Sequence, residues 1–110
     1  MEEEKLNRYL IRYPGFKTKA LTLSYDDGVI QDKKLIEIMD RYGIKGTFNL
    51  NGGSYRDVDY RSANTRLTQE EAVALYKNSG HEVAVHGFRH PFLDEMPNGS
   101  AAWEIMKDRE

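Results

Sequence analysis

The chain contains no cysteine. Disulfide frameworks, thiolate zinc sites and cysteine nucleophiles are therefore excluded. It also lacks a strong charge balance. Its 16 basic and 18 acidic residues leave a net charge of −2, so no nucleic-acid or anionic-membrane partner is expected. No apolar run approaches the length of a membrane span. The first residues, Met1-Glu2-Glu3-Glu4-Lys5, lack the apolar stretch of an export signal. As written, the chain is expected in the cytoplasm, or outside the cell if such a signal was removed. Length is short as well. At 110 residues the chain makes one small domain, well under the roughly 250 residues of a full (β/α) barrel. What remains, 39% apolar and 31% charged residues, is the composition of an ordinary soluble domain.

One stretch organises the rest: Leu21-Thr22-Leu23-Ser24-Tyr25-Asp26-Asp27-Gly28. An apolar run ends in two carboxylates and a glycine. In α/β folds, ligands and catalytic groups collect at the carboxyl ends of strands. Alone, Asp26-Asp27-Gly28 reads first as a turn, because Asp-Gly is a strong turn dipeptide. The second signal is His86-Gly87-Phe88-Arg89-His90. One carboxylate and two imidazoles make a donor set suited to catalytic zinc. An HxxxH pair by itself also occurs where nothing is bound. The two signals support each other because each ends a predicted strand.

The pattern alternates strand and helix. Lys19–Tyr25 is the first strand, with both faces open to burial. Asp26 and Asp27 then fall on opposite sides of it. A helix from Gln31 to Tyr42 carries Leu35, Ile38, Met39 and Tyr42 at helical spacing, and Gly43 ends it. Gly46–Asn51 is the second strand. Ser54–Arg66 is a polar loop, either one wall of a groove or a loose surface segment. Thr68 to Glu71 forms a capping box. Its helix presents Ala72, Leu75, Tyr76 and Ser79, with Gly80 as the residue after its cap. Glu82–Val85 is the third strand and delivers His86. Asn98-Gly99-Ser100 offers an N-cap for a last helix, with Ala102, Ile105 and Met106 as its apolar stripe. Trp103 lies off that stripe. Ahead of all this, Pro14-Gly15 reads as a turn, and a short strand around Arg8–Arg12 is weakly indicated. His81 reads as a turn or surface residue. Arg89 reads as an orienter of Asp26, a substrate contact or a plain salt bridge. The fold class is α/β, with parallel (β/α) repeats and right-handed crossovers.

On these motifs the chain resembles the polysaccharide deacetylases, the NodB-homology carbohydrate esterases. Ser24-Tyr25-Asp26-Asp27 is similar to their Thr-Phe-Asp-Asp, and His86-Gly87-Phe88-Arg89-His90 to their His-(Ser/Thr)-x-x-His. Gly46-Thr47-Phe48-Asn49-Leu50 and Gly80-His81-Glu82-Val83-Ala84-Val85 resemble the family too. Two departures stand out: Ser24-Tyr25 replaces Thr-Phe, and Gly87 replaces a hydroxyl residue.

The resemblance implies the first half of a distorted (β/α) barrel, with residues 1–110 a partial domain truncated at its C-terminus. It implies a metal-dependent hydrolase removing N- or O-linked acetyl groups from an acetylated polysaccharide. Asp27, His86 and His90 would hold a divalent metal, zinc first, with cobalt, nickel or iron also suited. Asp26 would be the general base. The family's later motifs, including a histidine general acid, lie beyond this chain. Two rival readings follow. One is a truncated, catalytically weak fragment that binds metal or sugar. The other is a two-histidine, one-carboxylate iron oxygenase. An open sheet of this kind is expected to self-associate or to dock with a missing second half.

Overall fold

The computed structural model describes residues 11–61 and 64–110. Three strands, β1 (Ser24–Asp26), β2 (Thr47–Leu50) and β3 (Glu82–Val85), alternate with three helices, α1 (Asp32–Arg41), α2 (Gln69–Tyr76) and α3 (Asn98–Arg109). The strands form one parallel sheet in the order β1-β2-β3. The expected α/β class and strand order are thus observed. The strand expected around Arg8–Arg12 lies largely outside the described residues. Pro14–Phe16 forms a single 3-10 turn, with Gly15 at φ 75°. No helix among the described residues is long and apolar enough to cross a membrane.

The register aligns Tyr25 with Phe48 and Phe48 with Val83. On β1 and β2 this face carries the core, while Val83 on β3 is 50% exposed. Phe48 and Leu50 pack with Ile36 and Met39 of α1, Ala72 and Tyr76 of α2, and Leu67. Phe48 is fully buried, with Tyr25, Tyr76 and His81 rings at 5.8, 5.3 and 5.5 Å. The opposite face is polar. Asn49 Nδ2 donates to Ser24 Oγ at 2.8 Å, and Thr47 Oγ1 donates to Glu82 Oε1 at 3.1 Å. Burial on both faces, expected from the first strand, is therefore not found. That strand is also shorter than expected: Leu21 is 80% exposed, and only from Ser24 does β1 pair with β2.

Two helices turn a different face inward than their apolar spacing implied. In α1, Asp32, Ile36 and Met39 are buried while Ile38 and Tyr42 are exposed. Asp32 is drawn in because the Tyr76 hydroxyl, itself buried, donates to its Oδ2 at 2.5 Å. Burial pushes the Asp32 carboxyl above its usual range, more than that hydrogen bond lowers it. In α3, the expected stripe of Ala102, Ile105 and Met106 is exposed, and Glu104 is 1% exposed instead. Glu104 and Asp108 lie one turn apart on one face, and that face meets backbone N–H groups of the loops below. The cap is Pro97, so Asn98, Gly99 and Ser100 are inside the first turn. The capping box of α2 is present in both directions. After α2, Asn78 takes the left-handed position (φ 63°) ahead of Gly80 (φ 81°).

His81 is not on the surface. Its side chain is fully buried. Gly46 N–H donates to Nδ1 at 3.1 Å. The proton therefore resides on Nε2, which lies 2.9 Å from Asp40 Oδ1 and donates to it.

Candidate metal centre

The carboxyl ends of β1 and β3 lie either side of β2, and the sequence breaks the strand geometry at both. Asp27 follows β1 at φ 81°, where Asp is tolerated better than most side chains. This left-handed residue turns the Asp27 carboxylate back to the side of Asp26. Consequently both acids approach one imidazole: His86 Nε2 is 3.5 Å from Asp27 Oδ1 and 3.7 Å from Asp26 Oδ2. The opposite-sides expectation for the two acids is thus corrected. His86 follows β3 directly, and its N–H donates to Leu50 O at 3.0 Å, continuing the ladder. A tight turn then brings His90, at φ 57°, to 3.2 Å from Asp27 Oδ1. The two imidazoles stand edge to face with centroids 4.9 Å apart.

Ligand atoms of Asp27, His86 and His90 all lie within 4.8 Å of one another. Asp27 Oδ1 is buried and accepts no hydrogen bond. Leaving a buried carboxylate oxygen unsatisfied is costly, and a cation held by these three side chains would satisfy it. The donor set, one carboxylate and two imidazoles, fits a divalent metal with positions left for water. Asp26 stands apart. Its Oδ1 accepts from Asn49 Nδ2 at 2.9 Å, and its Oδ2 lies 3.7 Å from His86 Nε2.

The supporting residues were not legible as site residues. Asn51 Nδ2 donates to His86 O at 2.8 Å and to Gly87 O at 2.7 Å. Arg66, at the end of the polar loop, donates from Nη1 to Asp27 O at 2.8 Å and to Asn51 Oδ1 at 3.1 Å. Asp108 accepts from His86 N at 2.7 Å. Of these, Asn51 alone carried a signal, because it ends the strand between the two motifs. Arg89 does not orient Asp26. Its backbone N and Nε donate to the buried Glu104 carboxylate at 2.9 and 2.8 Å, and its guanidinium lies 5.1 Å from the Trp103 ring centre. The polar loop is pinned at both ends, with Tyr55 packed on the core and Arg66 at the site.

The sequence matches the polysaccharide deacetylase family over residues 14–110. In fold, the chain is similar to the Streptococcus pyogenes deacetylase PplD, solved in complex with acetate. The TM-score is 0.69 at 22% identity, over 94% of this chain and 42% of that one. It is also similar to the chitin deacetylase of the fungal pathogen Colletotrichum lindemuthianum. There the TM-score is 0.57 at 21% identity, over 78% of this chain and 36% of that one. The chain thus spans less than half the length of either structure. Among curated proteins, none matches the sequence.

Proposed function

Since the chain belongs to the polysaccharide deacetylase family, we propose that it contributes the metal-holding half of a hydrolase that removes acetyl groups from an acetylated polysaccharide. The observation that carries this is the convergence of Asp27, His86 and His90 around an unpartnered Asp27 Oδ1. Those three residues would hold the metal, zinc first, with cobalt, nickel or iron also suited. When bound, such an ion polarises the acetyl carbonyl and acidifies a water molecule.

The chain's own residues supply the rest. Asp26 takes the proton of the attacking water at Oδ2, because Asn49 already occupies Oδ1 and fixes the carboxylate plane. Asp27 is held by its backbone, so the adjacent acids divide the work between ligand and base. The departing amine or alcohol then needs a proton. The chain has 3 histidines. His86 and His90 are in the donor set, and His81 is sealed in the core. No histidine among the described residues is left to serve as general acid. That observation favours a second reading, a metal- or sugar-binding fragment with little turnover of its own. The iron-oxygenase reading has no support from an α/β sheet in this family.

The test is acetate release from N- and O-acetylated oligosaccharides by the zinc-loaded chain in excess over substrate. Release is expected to be slow, about 10²- to 10⁴-fold below a site with a general acid, and lost in Asp26→Asn. Release equal in wild type and Asp26→Asn would remove Asp26 as the base. No release at all would leave the binding-fragment reading.

A further inference from the structure

The donor residues come from two strands that do not pair with each other, since β2 lies between them. Something must set the distance between Asp27 and His86 before any ion arrives. We propose that Asn51 and Arg66 form a two-residue clamp that pre-sets the Asp27–His86–His90 donor set for a divalent cation. The inference rests on the metal reading above.

The clamp is continuous in hydrogen bonds. Asn51 is 1% exposed, one residue past β2. Its Nδ2 holds both carbonyls that flank the turn after His86, at 2.8 and 2.7 Å. Its Oδ1 accepts from Arg66 Nη1 at 3.1 Å, and the same nitrogen donates to Asp27 O at 2.8 Å. A single line therefore runs from the backbone of Asp27, through a guanidinium and an amide, to the backbone of His86 and Gly87. It grips two segments with left-handed backbone, Asp27 at φ 81° and Gly87 at φ 84°. Arg66 Nη2 stands 3.9 Å from Asp27 Oδ1, too far for a hydrogen bond. The clamp thus acts on the main chain and leaves the carboxylate oxygen for the ion. Arg66 and Asn51 touch no reacting atom and are positioning residues. Outer partners of this kind typically alter metal affinity by about 10- to 100-fold.

The experiment is a zinc titration of the whole chain well below its melting temperature, for wild type, Arg66→Lys, Arg66→Gln, Asn51→Ala and the Arg66→Gln/Asn51→Ala double variant. Arg66→Gln and Asn51→Ala should each bind zinc about 10- to 100-fold more weakly. Arg66→Lys, which keeps the charge but not the planar fork, should lose less. The double variant should lose no more than the worse single, because both cut one line. The cobalt(II) absorption spectrum should shift in the same variants, a change that a purely structural role would not produce. Folded variants with wild-type zinc affinity and an unchanged cobalt spectrum would overturn the clamp while leaving the metal reading intact. Should Asn51→Ala not fold, Arg66→Lys and Arg66→Gln decide it alone. Absence of zinc binding in the wild type would overturn the metal reading itself, and the clamp with it.

Discussion

Asp27 Oδ1 lies 3.2 Å from His90 Nε2, and both residues have left-handed backbone, at φ 81° and 57°. Neither is glycine, so both positions carry strain of about 1 kcal/mol or more. Asp27 adds the penalty of a buried oxygen without a donor. A chain selected for stability alone would not place its residues this way.

The first prediction follows from that strain. Asp27→Gly removes the unsatisfied oxygen and relaxes the backbone, while Arg66 can still bond the residue 27 carbonyl. Without metal, the variant should be more stable by about 1–2 kcal/mol, the relief offset in part by glycine's greater unfolded entropy. It should also lose zinc binding. Thermal melts with and without zinc check both arms. A less stable apo variant would show that the Asp27 side chain supports the fold.

What was legible in the sequence was whatever local chemistry determines. The capping box at Thr68 and Glu71, the strand at Glu82–Val85 and the motif residues at the strand ends all depend on near neighbours. The inward faces of α1 and α3 do not. Leu35 and Met39 belong equally to a stripe with Ile38 and Tyr42 or to one with Asp32 and Ile36. The choice falls to the second because Tyr76, far along the chain, needs an acceptor. In α3, loop N–H groups at Arg89 and His86 call for carboxylates, so Glu104 and Asp108 turn in and the apolar stripe turns out. Apolar periodicity cannot register a polar partner that distant. The roles of Asn51 and Arg66 are hidden for a similar reason, since they bond each other and backbone carbonyls 35 to 39 residues away in the chain.

Gly87 stands where the resembling motif carries Ser or Thr, and restoring that hydroxyl should do harm. A Cβ on Gly87 would sit 2.8 Å from Pro91 Cδ, at φ 84°. Gly87→Ser should therefore destabilise the chain by about 1–3 kcal/mol and weaken zinc binding, because the turn sets His86 against His90. A melting temperature at or above wild type would mean that this turn readily takes another shape.

Acid should weaken the fold through Glu71. Its carboxyl is held down to about 2, first by the Thr68 backbone N–H and next by the Lys33 ammonium. A depressed folded value means that the stabilisation is fully present above the ordinary 4.5 and is lost as pH falls toward about 2. The stability difference between wild type and Glu71→Gln should shrink across that window and stay flat above it. Asp32 acts in the opposite sense: its raised value makes the folded chain hold a proton more tightly as pH falls. Asp32→Asn should therefore change the acid limb with reversed sign. Denaturant midpoints at stepped pH separate the two. A Glu71→Gln difference constant down to pH 3 would remove the capping carboxylate as the acid-sensitive group.

The sheet edges yield the last prediction. Among the described residues, β1 and β3 each pair on one side only. Beside the β3 edge, Val85 and Ile105 line a hollow of about 570 Å³ that also reaches Phe92 and Leu93. All four side chains are exposed, Phe92 by 69%. An unpaired parallel edge next to an apolar hollow is a template for another strand and its side chains. The polar bonds of Glu104 and Asp108 fix α3 in place, so the helix cannot roll its apolar stripe over the gap. Burial must then come from outside, and in a solution of this chain alone the available surface is a second copy. Light scattering at micromolar concentration should report dimers or larger species. Val85→Lys, which puts a charge at the edge without touching the core, should shift them toward monomer. A monodisperse monomer for both proteins would mean that the hollow tolerates water and that the edge is closed by a segment of the same chain.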